Sequence, residues 1–269
     1  MSSTTDRFHV HTALTLALAM LTTAVATADS ARDIVFVGCP ILRNTELPCW
    51  LGESGGELYY LGAQGDLTSD FYPPQFDHRM LVEGIVTDAR ICGGVVLKPV
   101  KVSVLPELDQ TCNVTLPAMA YSDPPHERGP GPSGARGVAP TPPARPTPVA
   151  YKPPFTTQTF NVAFDADGQR LWAAAQSAIQ NAAHYATAAG ASTIHVTGYR
   201  AAIRLSDGHE YVEQPWLAER RARVVEQALR TLDLPARAKL IVDWRSNPVA
   251  SQGIEADART RHVSIVVSP

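Results

Sequence analysis

Apolar and polar positions follow one pattern in the first part of the chain and a different one in the last part. Between residues 29 and 121 the apolar residues form short runs that end at Gly, Pro or Asp, as in residues 80–86 (MLVEGIV). Short runs rich in β-branched and aromatic residues predict strands. We therefore expect residues 29–121 to form a small, mostly β domain, as a compact sheet or a partly open OB-like barrel.

The apolar spacing changes after residue 157. Residues 160–164 (FNVAF) alternate as in a strand, and the apolar positions from Leu171 to Ala189 then recur at helical spacing, with Gly190 in the position of a helix C-cap. A second helical pattern covers about 215–232, and three further strand patterns lie near 196, 242 and 265. The order β-α-β-α-β-β predicts an α+β domain over 157–269, with helices packed on a small sheet.

A proline-rich segment separates these two regions. The chain has 22 prolines, and 11 of them fall between Ser122 and Pro154. Large apolar residues are scarce there, so the segment cannot bury enough surface to offset the entropy of ordering it. We interpret 122–156 as a linker of extended, polyproline-type character.

The N-terminal residues have the features of an export signal. Arg7 precedes an apolar run over 13–26, which ends at Ala26-Thr27-Ala28. This arrangement predicts a secretory signal peptide over 1–28, and the run is too short to span a bilayer as a helix. We therefore expect no transmembrane segment in the mature chain. A lipoprotein modified at Cys39 is the alternative.

Export changes the interpretation of the cysteines. All four precede the linker, at positions Cys39, Cys49, Cys92 and Cys112. An even count in an oxidising compartment predicts two disulfides. Three connectivities are open, and the pairing of Cys39 with Cys49 and of Cys92 with Cys112 is favoured because it closes the shortest loops. A zinc site is less consistent with the spacing, because no C-x₂-C pair is present.

Charge and motifs exclude several functions. A net charge of −3 does not suggest nucleic-acid binding. Residues 52–56 (GESGG) match G-x-S-x-G, but a predicted strand rather than a helix follows them, which indicates a hairpin turn. No paired carboxylates, Cys–His pair or phosphate loop is recognisable, so we expect no enzymatic activity, no cofactor and no metal.

Four motifs in the C-terminal region occur in a characteristic order, namely residues 160–165 (FNVAFD), 194–199 (IHVTGY), 217–225 (LAERRARVV) and 259–265 (RTRHVSI). The third is similar to L-S-x-x-R-A-x-x-V, and the fourth is a reduced form of N-R-R-V-E-I. Together they resemble the OmpA-like C-terminal domain, the peptidoglycan-binding module of Gram-negative envelope proteins. The resemblance covers about 157–269.

The resemblance implies a site for the diaminopimelate of a peptidoglycan stem peptide, at Arg221, Arg261 and Tyr199. A guanidinium can bind a carboxylate through two charge-assisted hydrogen bonds, which suits Arg221. The family places an aspartate where this chain has Ala201, and the following loop is about five residues longer. Asp207, within that loop, is the candidate to replace the aspartate.

The functional expectation is a periplasmic protein, associated with the cell wall or outer membrane, that binds peptidoglycan non-covalently and tethers the β domain to the wall. Its expected partners are peptidoglycan and another envelope protein, which the N-terminal domain would bind. The alternative is an OmpA-like fold that has lost wall binding and serves as a protein-interaction scaffold in the envelope. Loss of the aspartate at position 201 favours the alternative.

Overall fold

A computed structural model describes residues 33–45, 47–63, 73–119, 150–251 and 260–269. The predicted signal peptide and most of the predicted linker lie outside these ranges. The chain is α+β, as the sequence predicted. Within the described ranges, no helix combines the length and the apolar composition needed to cross a membrane.

The described residues of the first region, 33–45, 47–63 and 73–119, form one sheet and are called the β-rich region below. Its seven strands follow the sheet order β1-β5-β6-β4-β3-β2-β7. The strands are β1 (Asp33–Gly38), β2 (Ile41–Arg43), β3 (Cys49–Ser54), β4 (Glu57–Ala63), β5 (His78–Ile91), β6 (Gly94–Leu108) and β7 (Val114–Leu116). Seven strands in one sheet exceed the five of an OB barrel, so that comparison is wrong.

Glycines make the turn between β3 and β4, where the G-x-S-x-G match lies. Gly55 and Gly56 have φ angles of 61° and 81°. These left-handed angles favour glycine over residues with a Cβ. The motif is therefore a hairpin turn, as predicted.

Two disulfides are present, as predicted, but the favoured pairing of Cys39 with Cys49 and of Cys92 with Cys112 is wrong. Cys39 is bonded to Cys112, and Cys49 to Cys92. The reason lies in the sheet: β2 pairs in parallel with β7, and Ile41 lies opposite Val114. Two residues before that pair, Cys39 and Cys112 lie side by side although 73 positions separate them in sequence. Short loop length favoured sequence neighbours and took no account of this pairing.

The second region, residues 157–269, is called the C-terminal region below. Its main sheet has the order β12-β9-β14-β8, and a smaller sheet has the order β11-β10-β13. Its elements are β8 (Gln158–Ala163), α1 (Ala173–Ala189), β9 (Thr193–Gly198), β10 (Ala201–Arg204), β11 (Glu210–Val212), α2 (Leu217–Arg230), β12 (Lys239–Trp244), β13 (Val249–Ser251) and β14 (His262–Ser268).

Both helices pack on the main sheet around one apolar core. Buried side chains of α1 (Ile179, Tyr185) and α2 (Val225, Leu229) meet strand residues such as Ile265 there. Helix α1 ends at Gly190, whose left-handed conformation (φ 56°, ψ 48°) confirms the predicted C-cap. The small sheet was not predicted, because its strands have only three or four residues.

The two regions pack directly against each other. A shared apolar cluster contains Leu81 and Leu105 from the β-rich region, and Ala166 and Ile203 from the C-terminal region. Hydrogen bonds across the contact include one from the Ala166 backbone N–H to the Ser103 hydroxyl, at 3.1 Å. The β-rich region therefore lies on the loop that follows β8 and on the small sheet, which also surround the candidate site.

Candidate functional site

Arg221 lies on the first turns of α2, on the face of the helix that packs against the sheet. Gly198, at the end of β9, permits this close packing, because a Cβ there would lie 2.0 Å from the carbonyl oxygen of Ala218. The side chain of Arg221 is completely buried. A charge buried to this extent needs partners for every donor.

All five N–H donors of the Arg221 guanidinium have acceptors within the chain. Nε donates to the carbonyl of Gly168 at 2.9 Å. The terminal nitrogens donate to the carbonyls of Tyr199 (3.1 Å) and Asp165 (2.8 Å) and to both carboxylate oxygens of Glu213 (2.9 and 2.7 Å). In this conformation Arg221 has no donor left for a ligand.

Glu213 is the carboxylate that pairs with Arg221, and it is equally buried. Besides the guanidinium, its oxygens accept the backbone N–H groups of Ala201 (2.7 Å) and Asp167 (2.9 Å). Each carboxylate oxygen thus accepts two hydrogen bonds. The four donor groups (two guanidinium nitrogens of Arg221 and the backbone N–H groups of Ala201 and Asp167) are called the carboxylate site below.

Asp167 closes the site from the side of the loop after β8. Its carboxylate accepts hydrogen bonds from the Tyr211 hydroxyl and from the Gln214 backbone N–H, the latter at 3.1 Å. Desolvation raises the pKa of Asp167, and burial together with the Asp167 hydrogen bond raises the pKa of Tyr211. These contacts fix the chain on both sides of Glu213.

Asp207, the candidate to replace the aspartate missing at position 201, does not lie beside Arg221. Asp207 lies in the exposed turn between β10 and β11, where it accepts the His209 backbone N–H at 2.9 Å. This hydrogen bond is the main reason why the pKa of Asp207 is lowered. Glu213, rather than Asp207, provides the carboxylate beside Arg221. The sequence feature that could have identified Glu213 is an acidic residue four positions before Leu217, where α2 begins.

Arg261 is also buried, and its partner comes from the β-rich region. Its terminal nitrogens donate to the two carboxylate oxygens of Glu83 at 3.2 and 2.7 Å. Neither side chain is more than 1% exposed. Sequence reasoning missed Glu83, although an acidic residue inside the apolar run of residues 80–86 was a signal.

Tyr199 contributes its backbone rather than its hydroxyl to the arginine. Its ring stacks on His262, with centroids 4.5 Å apart and an interplanar angle of 12°. Burial, and secondarily the charge of Arg221, lower the pKa of His262. Nδ1 of His262 is buried and has no hydrogen-bond partner among the described residues.

The structure therefore brings Arg221 and Tyr199 together, places Arg261 at the contact between the regions, and leaves Asp207 at an exposed turn. Within the described ranges, no group of three or more His, Cys, Asp or Glu side chains could hold a metal ion. The arrangement holds the internal carboxylate of Glu213 with four hydrogen bonds.

Comparison with known proteins gives similarity to solved structures alone. No family model matches the chain, and no curated protein matches it. A MotB-like protein from Desulfovibrio vulgaris is 17% identical, with a TM-score of 0.32 over 42% of this chain and 76% of that one. The OmpA-like domain of FopA1 from Francisella tularensis is 20% identical, with a TM-score of 0.29 over 42% of this chain and 72% of that one. At these values the similarity assigns no function to this chain.

Proposed function

We propose that the chain is an exported envelope protein whose C-terminal region binds peptidoglycan non-covalently at the carboxylate site. One observation carries the proposal: Arg221 and two backbone N–H groups hold a carboxylate with four hydrogen bonds. A peptidoglycan stem peptide carries such carboxylates. The resemblance of the C-terminal motifs to the OmpA-like domain supports the same assignment, and the function is binding rather than catalysis.

Export to the periplasm is part of this proposal. The Ala26-Thr27-Ala28 site and the two disulfides of the β-rich region support it. A second envelope protein is the proposed partner of the β-rich region, which would in this way be tethered to the wall. Mass spectrometry of the periplasmic chain should find Asp29 as its first residue.

Cosedimentation with purified sacculi tests wall binding. The wild type and Glu213→Gln are each incubated with sacculi, with and without free diaminopimelate. We expect free diaminopimelate to release the bound chain, whereas lysine, which lacks the second carboxylate, releases less. Glu219→Gln is the matched control for Glu213→Gln, because Glu219 is a glutamate of α2 whose side chain is 48% exposed. Failure of both proteins to cosediment would overturn wall binding.

A second candidate function rests on the saturation of Arg221. Because all its donors are used internally and Arg261 is held by Glu83, both arginines can act as purely structural ion pairs. This favours an OmpA-like fold that has become a protein-interaction scaffold, with the β-rich region docked on it. The scaffold predicts no cosedimentation of either protein.

A further inference from the structure

We propose that Glu213 is an intramolecular ligand, which occupies the carboxylate site and must leave before a carboxylate from outside can bind. This inference rests on the proposed function for the identity of the natural ligand, a stem-peptide carboxylate. Its physical basis is the match between Glu213 and an external ligand. Both would present a carboxylate to the same two guanidinium nitrogens and the same two backbone N–H groups.

Glu213 uses all four donor groups of the carboxylate site, so none of them is left for a second carboxylate. An ionised carboxylate has about four lone-pair sites, and the oxygens of Glu213 use four donors at 2.7–2.9 Å. Two carboxylates on one guanidinium would also repel each other in a buried site. Internal and external carboxylates therefore compete, and a ligand binds only to the fraction of chains in which Glu213 has moved away.

The β-rich region holds the site in its closed form. Gln214, the neighbour of Glu213, donates its side-chain amide to Glu107 of β6 at 3.0 Å. On the other side, the loop after β8 is held by the Ser103 hydroxyl and by the ammonium of Lys101, 3.7 Å from Asp165. All three residues of the β-rich region lie on β6. Loss of these contacts would loosen the segments that flank the carboxylate site, and we therefore expect it to favour release of Glu213.

Chemical rescue by acetate tests whether the site accepts an external carboxylate. Glu213→Ala removes the atoms that acetate would replace, and leaves the donors of the site unpaired. We expect acetate to raise the unfolding temperature of this variant by at least about 2 °C over sodium chloride of equal ionic strength, because ligands of the native state stabilise it. Acetamide, which is neutral and of similar size, should have no such effect.

Two proteins serve as controls for acetate. The wild type has its site occupied, and Glu219→Ala removes a glutamate of α2 whose side chain is 48% exposed. Neither should respond to acetate beyond the response to chloride. An equal response of Glu213→Ala to acetate, acetamide and chloride would overturn the inference.

Binding to sacculi tests the competition in proteins that keep Glu213, or a side chain of the same size, at the carboxylate site. Glu213→Gln preserves the shape of the side chain and removes its charge, so it competes less with an external carboxylate. We expect it to raise the bound fraction at least about fivefold, since a weaker internal contact increases the open population. Glu107→Ala should raise it in the same direction, and Glu53→Ala, an exposed glutamate of β3, should not.

The outcomes separate this inference from the proposed function. If acetate stabilises Glu213→Ala but no protein binds sacculi, Glu213 is an internal ligand and wall binding is wrong. If the wild type binds sacculi and Glu213→Gln binds no more strongly, wall binding stands and the competition is wrong. This second result decides the question even if Glu213→Ala does not fold.

Discussion

Replacing Arg261 by methionine removes one partner of a buried ion pair that joins the two regions. The terminal nitrogens of Arg261 lie 3.2 and 2.7 Å from the carboxylate oxygens of Glu83, and both side chains are at most 1% exposed. Loss of one partner removes this ion pair from a buried site, which typically costs about 3–5 kcal/mol. For a chain of this size, that cost corresponds to a fall of about 6–20 °C in the unfolding temperature.

An exposed ion pair of α2 provides the matched control. Arg230 lies 2.8 Å from Glu226, nearly the same distance as the shorter contact of Arg261, but its side chain is 62% exposed. Water already solvates the guanidinium of Arg230, and Glu226 keeps a second partner in Arg223 at 3.0 Å, so Arg230→Met should cost less than about 1 kcal/mol. Urea unfolding, followed by circular dichroism, measures both variants under the same conditions.

A double variant separates the lost ion pair from lost packing. Glu83→Met combined with Arg261→Met removes both charges and keeps two long apolar side chains. It should recover most of the stability lost in the single variants, because well-packed apolar residues often replace a buried ion pair without cost. The reasoning is refuted if Arg261→Met costs no more than Arg230→Met, or if the double variant is less stable than both single variants.

Three further perturbations have defined results in unfolding and mapping experiments. Gly198→Ala should lower the free energy of unfolding by about 1–3 kcal/mol, because the added Cβ would lie 2.0 Å from the carbonyl oxygen of Ala218 in α2. Non-reducing peptide mapping should link Cys39 to Cys112; replacing both by alanine should cost about 4 kcal/mol for a 73-residue separation, and another linkage would contradict the structure. The free energy of unfolding should fall as the pH drops below 6.5, since the unfolded chain protonates His262 before the folded chain does. His262→Gln should reduce this fall, and His184→Gln, at an exposed position, should not.

Sequence patterns predicted features that depend on near neighbours. The helix that ends at Gly190 and the hairpin turn at Gly55 each follow from a few adjacent residues. The partner of Arg261 does not follow from adjacent residues, because Glu83 lies 178 positions away in sequence. Pairing over such a distance depends on how the two regions pack, and a periodic pattern carries no information about that.

The disulfides show the same limit in another form. The number of bonds follows from composition and compartment, but the pairing follows from the position of β7 beside β2. That parallel pair brings together strands from opposite ends of the β-rich region. Loop length is a weak guide here, because the entropic cost of closing a loop rises only slowly with its length.

Ala201 is the position at which the carboxylate site differs from the resembled family, and an aspartate there should now be unfavourable. The backbone of Ala201 already donates to Glu213, and its side chain is completely buried. A carboxylate on this side chain would be buried in the apolar cluster and lie near the charge of Glu213, so Ala201→Asp should cost at least about 2 kcal/mol. In a Glu213→Ala background the like charge is removed, and we expect Ala201→Asp to cost less. Urea unfolding of the four proteins of this cycle measures the coupling, and an equal cost of Ala201→Asp in both backgrounds would show that the two carboxylates do not compete.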